Sequence, residues 1–214
     1  MIHPYDKIYL SDAMENFGEM FQYVINDCEY DPDDFFDKFI RSGFAREFEN
    51  GSPRVISGMS GAEIGISVFR LYGNDNPIES SIYFIPQSEY WAGWILAYFQ
   101  WETGIPFKEI HKYVKIGDIL NLYYPLHEAH ESKAVEAISQ IYNSRKTITN
   151  LQAQRKLQGL SQKELSQRAM VNLRTLQQYE TGAKKINNAA VSQVMNLAKV
   201  LHCQIDDILE YEVL

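Results

Sequence analysis

Residues 161–182 read Ser161-Gln-Lys-Glu-Leu-Ser-Gln-Arg-Ala-Met-Val-Asn-Leu-Arg-Thr-Leu-Gln-Gln-Tyr-Glu-Thr-Gly182, and this stretch decides the fold of the C-terminal part. Ser161 with Glu164 three positions on is a capping box, in which hydroxyl and carboxylate each satisfy an orphan amide at a helix start. The helix so opened buries Leu165 and Ala169. After a turn at Met170-Val171, Asn172 supplies a second N-cap for a helix through Glu180. Thr181-Gly182 ends it, because glycine accepts the left-handed backbone that follows many helices. Working outward, the spacing predicts a preceding helix with Leu151 and Leu157 inward, closing near Gln158-Gly159. A following helix holds Val191, Val194, Leu197, Ala198 and Leu201, and a last turn carries Ile205, Ile208 and Leu209. Two short helices joined by a tight turn, the second with polar side chains along one face, form a unit that fits a DNA major groove.

This spacing resembles the helix-turn-helix of the Cro/C1-type (XRE) repressor family over residues 147–210. The matching residues are Ser161 to Leu165, Val171-Asn172, Thr175-Leu176, Tyr179-Glu180, Gly182, Leu197 to Leu201 and Ile205 to Leu209. The resemblance implies a five-helix, lambda-repressor-like domain that binds double-stranded operator DNA, as a homodimer on a palindrome. Carried over by position, Asn172, Leu173, Arg174, Thr175, Gln177 and Gln178 lie on the groove side. Arg174 suits guanine and Gln178 suits adenine as bidentate partners, whereas Leu173 can only touch a thymine methyl. Gln162 resembles the family's phosphate-contacting glutamine. Lys184 and Lys185 would approach the backbone, where contacts position without reading sequence. Arg155 and Glu180 match a pair that bridges the first and third helices. Met170 and His202 stand where the family usually has glycine, so each must keep an ordinary backbone or accept strain.

Charge divides the chain near residue 143. Residues 1–143 hold 10 Lys and Arg against 22 Asp and Glu, whereas residues 144–202 hold 10 against Glu164 and Glu180 alone. Of the 28 aromatic residues, only Tyr179 and Tyr211 follow the divide. Two composition regimes predict two domains, 1–143 and 144–214. The basic stretch favours phosphate neutralisation and hence DNA.

The N-terminal part reads as helical, making the whole an all-α protein. Ser11 is a candidate cap for a helix with Ala13, Met14, Phe17, Met20, Phe21, Val24 and Ile25 on one face. Asp31-Pro32 opens a second helix, striped by Phe35, Phe36, Phe39 and Ile40 and stopped by Gly43. A third spans Gly61 to Leu71. Ser88 is expected to cap a Trp-rich helix that ends at Gly104, Pro106 opens a short one, and a long one runs from His127 to Tyr142. Ile82 to Ile85 before Pro86 fits a short strand or an extended loop.

No chemistry-bearing constellation stands out in this part. His127 and His130 at i, i+3 lack the spacing of a zinc hydrolase, so no metal and no cofactor is expected. Glu89 and Glu102 sit too far apart along one helix to act as a pair. Tyr90, Trp91, Trp94, Tyr98 and Trp101 recur at helical spacing, as a core stripe or as the lining of a pocket or a partner surface. No catalytic nucleophile with a base can be named, so an enzyme is not expected. No apolar run approaches the roughly 18–20 residues of a membrane span. Two cysteines and no secretory leader point to the cytoplasm. Asp27, Glu29, Asp31, Asp33, Asp34 and Asp37 form an acidic cluster that fits a solvated face, or else a surface that docks a basic protein partner or repels DNA from the wrong side. The phrases Tyr9 to Met14 and Tyr90 to Trp94 resemble segments of bacterial helix-turn-helix proteins encoded beside toxin-like genes. The expectation is an antitoxin that neutralises a toxin through residues 1–143 and represses its own operon. The alternative is a one-component repressor that senses a small molecule there, which requires a sizeable apolar pocket.

Overall fold

The computed structural model describes residues 3–73 and 87–211, and every regular element among them is helical. The stretch Ile82 to Ile85 lies outside the described residues. The chain divides into two compact units at Asn143/Ser144.

In the N-terminal unit a 3-10 turn at Lys7–Tyr9 leads into α1 (Leu10–Gln22). Asp6, not Ser11, caps this start, its carboxylate accepting from the Ile8 amide at 3.0 Å. Ser11 already lies inside the helix and donates to Glu15. The turn ahead of Leu10 moves the cap site toward the N-terminus, which the apolar period alone does not reveal. A single π-helical turn, Tyr23–Asp27, follows α1. Then come α2 (Pro32–Ser42), α3 (Phe44–Glu49), α4 (Pro53–Ile56) and α5 (Gly61–Leu71). Asp31 caps α2 through the Asp34 amide, and Gly43 at φ 90° ends it in the left-handed region that glycine occupies cheaply.

The Trp-rich helix is α6 (Ser88–Thr103), followed by α7 (Phe107–Tyr113), α8 (Ile116–Asn121) and α9 (Tyr123–Leu126). Ser88 does not cap α6: Gln87 holds that position without a side-chain bond, and the Ser88 hydroxyl donates to Glu89. The last helix, α10 (Glu131–Arg145), starts four residues later than His127. His127 instead closes α9, its Nδ1 3.0 Å from the Tyr123 carbonyl, and His130 Nδ1 accepts from the Ser132 amide at the start of α10.

Phenylalanine builds the core of this unit. Phe17 on α1 is fully buried, with the rings of Phe21, Phe36, Phe39, Phe48 and Phe107 all within 6.3 Å of its centroid. Such pairs add roughly 0.5–1.5 kcal/mol each beyond their buried area. α1 and α6 pack directly on one another through glycines. A Cβ on Gly93 would collide with the Phe17 carbonyl oxygen, and one on Gly18 with the Tyr90 ring. The acidic cluster is partly structural. Asp33 accepts from the Ile116 amide at 2.9 Å, and Asp33 and Asp37 lie 3.7 and 3.5 Å from the nitrogens of buried His111.

The C-terminal unit holds α11 (Asn150–Leu157), α12 (Gln162–Arg168), α13 (Leu173–Glu180) and α14 (Val191–Val200). The expected fifth helix is only a 3-10 turn, Ile205–Asp207, too short to close an α-helical ladder. Leu151, Leu165, Ala169, Val171, Leu176, Tyr179, Leu197, Leu201 and Ile208 form its core. Leu157 is not inward but 76% exposed. Six residues from Leu151 it stands about 120° away around the helix, and Leu160 in the following turn packs on the core instead. Val191, the first residue of α14, is exposed as well.

Candidate nucleic-acid interface and an aromatic pocket

The termini of α12 and α13 are fixed by their caps. Ser161 and Glu164 exchange the two bonds of a capping box, at 3.2 Å and 2.8 Å. The Asn172 side-chain oxygen accepts from the amides of Arg174 and Thr175 at 2.9 and 3.4 Å. Between the helices Met170 takes φ 53°, and His202 beyond α14 takes φ 51°. Both positions therefore adopt the left-handed conformation directly, the strained branch of the two open to them. Neither side chain opposes it: Met170 is 81% exposed and His202 is exposed.

A buried ionic bond ties α11 to the end of α13. The Glu180 carboxylate, with a fully buried side chain, accepts from Arg155 Nε at 2.6 Å and Nη2 at 3.0 Å. Arg155 Nη1 also donates to the Leu160 carbonyl at 2.6 Å. Gln162 Nε2 donates at 2.8 Å to Glu180 Oε2, the oxygen that Arg155 Nη2 also binds, and Gln177 Nε2 lies 3.4 Å from Gln162 Oε1. The sequence pointed to Arg155 and Glu180 as a pair but did not place Gln162 beside it.

Among the residues expected to meet DNA, Asn172, Leu173, Arg174, Gln177, Lys184 and Lys185 are exposed, and Gln162, Thr175 and Gln178 are half-buried. Among the described residues the Arg174 guanidinium has no hydrogen-bond or ion-pair partner. Lys184 binds its amide to the Gln178 carbonyl at 3.1 Å and sets its ammonium 5.5 Å from the centre of the Tyr179 ring. Tyr179, unremarked in the sequence beyond its register, is a core residue whose hydroxyl reaches Gln193 at 3.2 Å. The tail closes the unit: Asn150 Nδ2 donates to the Leu209 carbonyl, and Lys146 pairs with Glu210 at 2.9 Å.

The Trp-rich helix splits its aromatics. Trp101 is buried, while Tyr90, Trp91, Trp94 and Tyr98 are only half-buried; the core face of α6 is Ala92, Ile95, Leu96, Ala97 and Phe99. Tyr90, Trp91 and Trp94 line a cavity of about 320 Å³ with Tyr123, His127 and Glu131. Burial, with the carboxylates of Glu15 and Glu19, pushes the Tyr90 phenol up to about 12. No cluster of three or more metal-ligating side chains occurs among the described residues.

A helix-turn-helix family model matches residues 151–208. No curated protein and no solved structure matches the chain. The C-terminal unit is accordingly the DNA-binding module of a transcription regulator. Within that class it is of the Cro/C1 (XRE) type. No described helix is long and apolar enough to cross a membrane.

Proposed function

We propose that the protein is an operator-binding repressor, cytoplasmic and homodimeric, whose N-terminal unit binds a small ligand that shifts its affinity for DNA. One asymmetry of α13 carries the DNA part: its flank with Leu173, Arg174 and Gln177 is exposed, while Glu180 at its far end is anchored inward by Arg155. In this reading Arg174 pairs with guanine and Gln178 with adenine, each worth ~1–3 kcal/mol of discrimination. Leu173 and Thr175 make apolar contact with the groove. Gln177 reaches neighbouring base edges. Asn172 keeps its outward amide for the same face, its oxygen being engaged in the cap. Gln162, Lys184 and Lys185 hold phosphates. A single module meets too few base pairs for operator specificity, which favours a dimer on a palindrome.

The test is selection of duplexes from a random pool by the full chain, followed by titration of the selected site at several salt concentrations. The expected result is a palindromic site bound with a linear fall of log affinity against log salt. An enriched pool without any shared sequence, or no salt-dependent complex, overturns the reading.

The cavity of about 320 Å³ supports ligand binding by the N-terminal unit, since ligand sites run from roughly 300 Å³ upward and are largely aromatic. A second reading, an antitoxin that neutralises a basic toxin, is supported by the acidic excess of residues 1–143 and by the exposure of Glu29, Asp34 and Asp37. It is weakened by the structural duties of Asp31 and Asp33. Co-purification from the native operon separates the two. A stoichiometric neighbouring gene product favours the antitoxin, and its absence overturns it.

A further inference from the structure

We propose that the ligand of the aromatic cavity is a small organic cation of the alkylammonium type; the inference rests on the ligand-binding reading above. Four rings line the cavity, from Tyr90, Trp91, Trp94 and Tyr123. An aromatic face carries partial negative charge and attracts a cation, most strongly where water is excluded. The walls do not form a slot. The Trp91 and Tyr123 rings meet at 71°, with centroids 5.8 Å apart, and His127 stacks on Tyr123 at 4.5 Å. Parallel rings would select a flat aromatic ligand. A corner of steeply inclined rings fits a rounded group such as a substituted ammonium.

Charge points the same way. Glu131, the first residue of α10, lines the cavity, and among the described residues no lysine or arginine does. Its side chain is 32% exposed, and among the described residues the basic group close to it is His130, with Nδ1 3.5 Å away. Glu15 and Glu19 act on Tyr90 from α1, and Glu131 itself acts on Tyr98. An anionic ligand would meet carboxylates without a counter-charge. A neutral ligand would leave the Glu131 carboxylate unused.

Trp91 and Trp94 make the cavity its own reporter, and tryptophan emission of the full chain serves as readout. The probes are choline, its uncharged isostere 3,3-dimethylbutan-1-ol, indole, and a short peptide bearing one trimethyllysine. Choline is expected to shift the emission saturably and to bind about tenfold more tightly than the uncharged alcohol. Glu131→Gln, at a partly exposed helix end, should keep the far-UV circular dichroism of the parent and bring choline down to the level of the alcohol. Equal binding of choline and alcohol, or a Glu131→Gln variant that leaves their ratio unchanged, overturns the cation while the pocket reading survives. Tighter binding of the peptide than of choline overturns a free small molecule as the source. Failure of all four probes, indole included, overturns the ligand-binding reading with it.

Discussion

Replacing Arg155 by methionine isolates the ionic bond that holds the recognition helix. Methionine keeps much of the apolar stem and removes only the guanidinium. The Glu180 carboxylate, whose side chain is fully buried, then loses the donors at 2.6 and 3.0 Å and keeps Gln162 alone. The Leu160 carbonyl loses its donor too. An uncompensated buried charge of this kind costs about 3–5 kcal/mol. At about 0.05–0.15 kcal/mol per residue, a unit of this size has only about 3–10 kcal/mol in total. Arg155→Met should therefore bring residues 144–211 to the edge of unfolding and abolish operator binding, while the N-terminal unit stays folded. All three tryptophans precede residue 102, so their emission follows the N-terminal unit alone, whereas far-UV circular dichroism follows both. Urea titration read both ways gives the two stabilities in one sample. The double variant Arg155→Met, Glu180→Leu removes both charges and should recover most of the loss. A single variant destabilised by less than about 1 kcal/mol, or a double variant no better than the single, refutes the assignment of this bond as the anchor.

Arg174→Ala should cost about 1–3 kcal/mol at the selected operator and relax one base position, whereas Lys185→Ala should weaken all sequences alike and lower the salt slope by about 1; parallel titrations on operator and scrambled duplex check both. Gly93→Ala forces α1 and α6 apart at the Phe17 carbonyl and should cost about 1–3 kcal/mol, read from the tryptophan urea midpoint. Burial pushes the Glu49 carboxyl up to about 7, against the Phe107 amide and the Arg46 charge that lower it. The folded state thus holds this proton more tightly than the unfolded chain, and stability falls as pH rises from about 4.5 through 7. Glu49→Gln should match the parent at pH 5 and exceed it at pH 8. Met170→Gly relieves a left-handed residue worth about 1–2 kcal/mol, offset by about 0.4–1 kcal/mol of unfolded-state entropy. A net gain should appear in the circular-dichroism melt.

The C-terminal unit was legible because its signals are local. Ser161 with Glu164, and Asn172 with the amides it faces, fix helix starts within three residues, and the structure shows both sets of bonds. Leu157 is a leucine inside a short polar helix, where residue type suggests burial, but its angular offset from Leu151 puts it outside. In the N-terminal unit, the helix opened by Asp31-Pro32 was readable for the same local reason. Ser11, Ser88 and His127 misled because each start is set by something outside the helix: a preceding 3-10 turn, a glutamine without a cap bond, and the closing of α9. The short α3, α4, α8 and α9 run four to six residues, too few for a period to emerge. The cavity needed tertiary information, since Tyr123 and Glu131 join Trp91 and Trp94 only through the packing of other helices on α6.

Asn172 at one end of α13, and the chain from Arg155 through Glu180 and Gln162 to Gln177 at the other, set the helix before any duplex arrives. A reader built this way gives up little configurational freedom on docking, so the heat of association should come from the groove contacts themselves. It also has little slack with which to absorb a poor fit. Degenerate sites would then be rejected sharply, one mismatched step at a time, where a pliable reader would accommodate them.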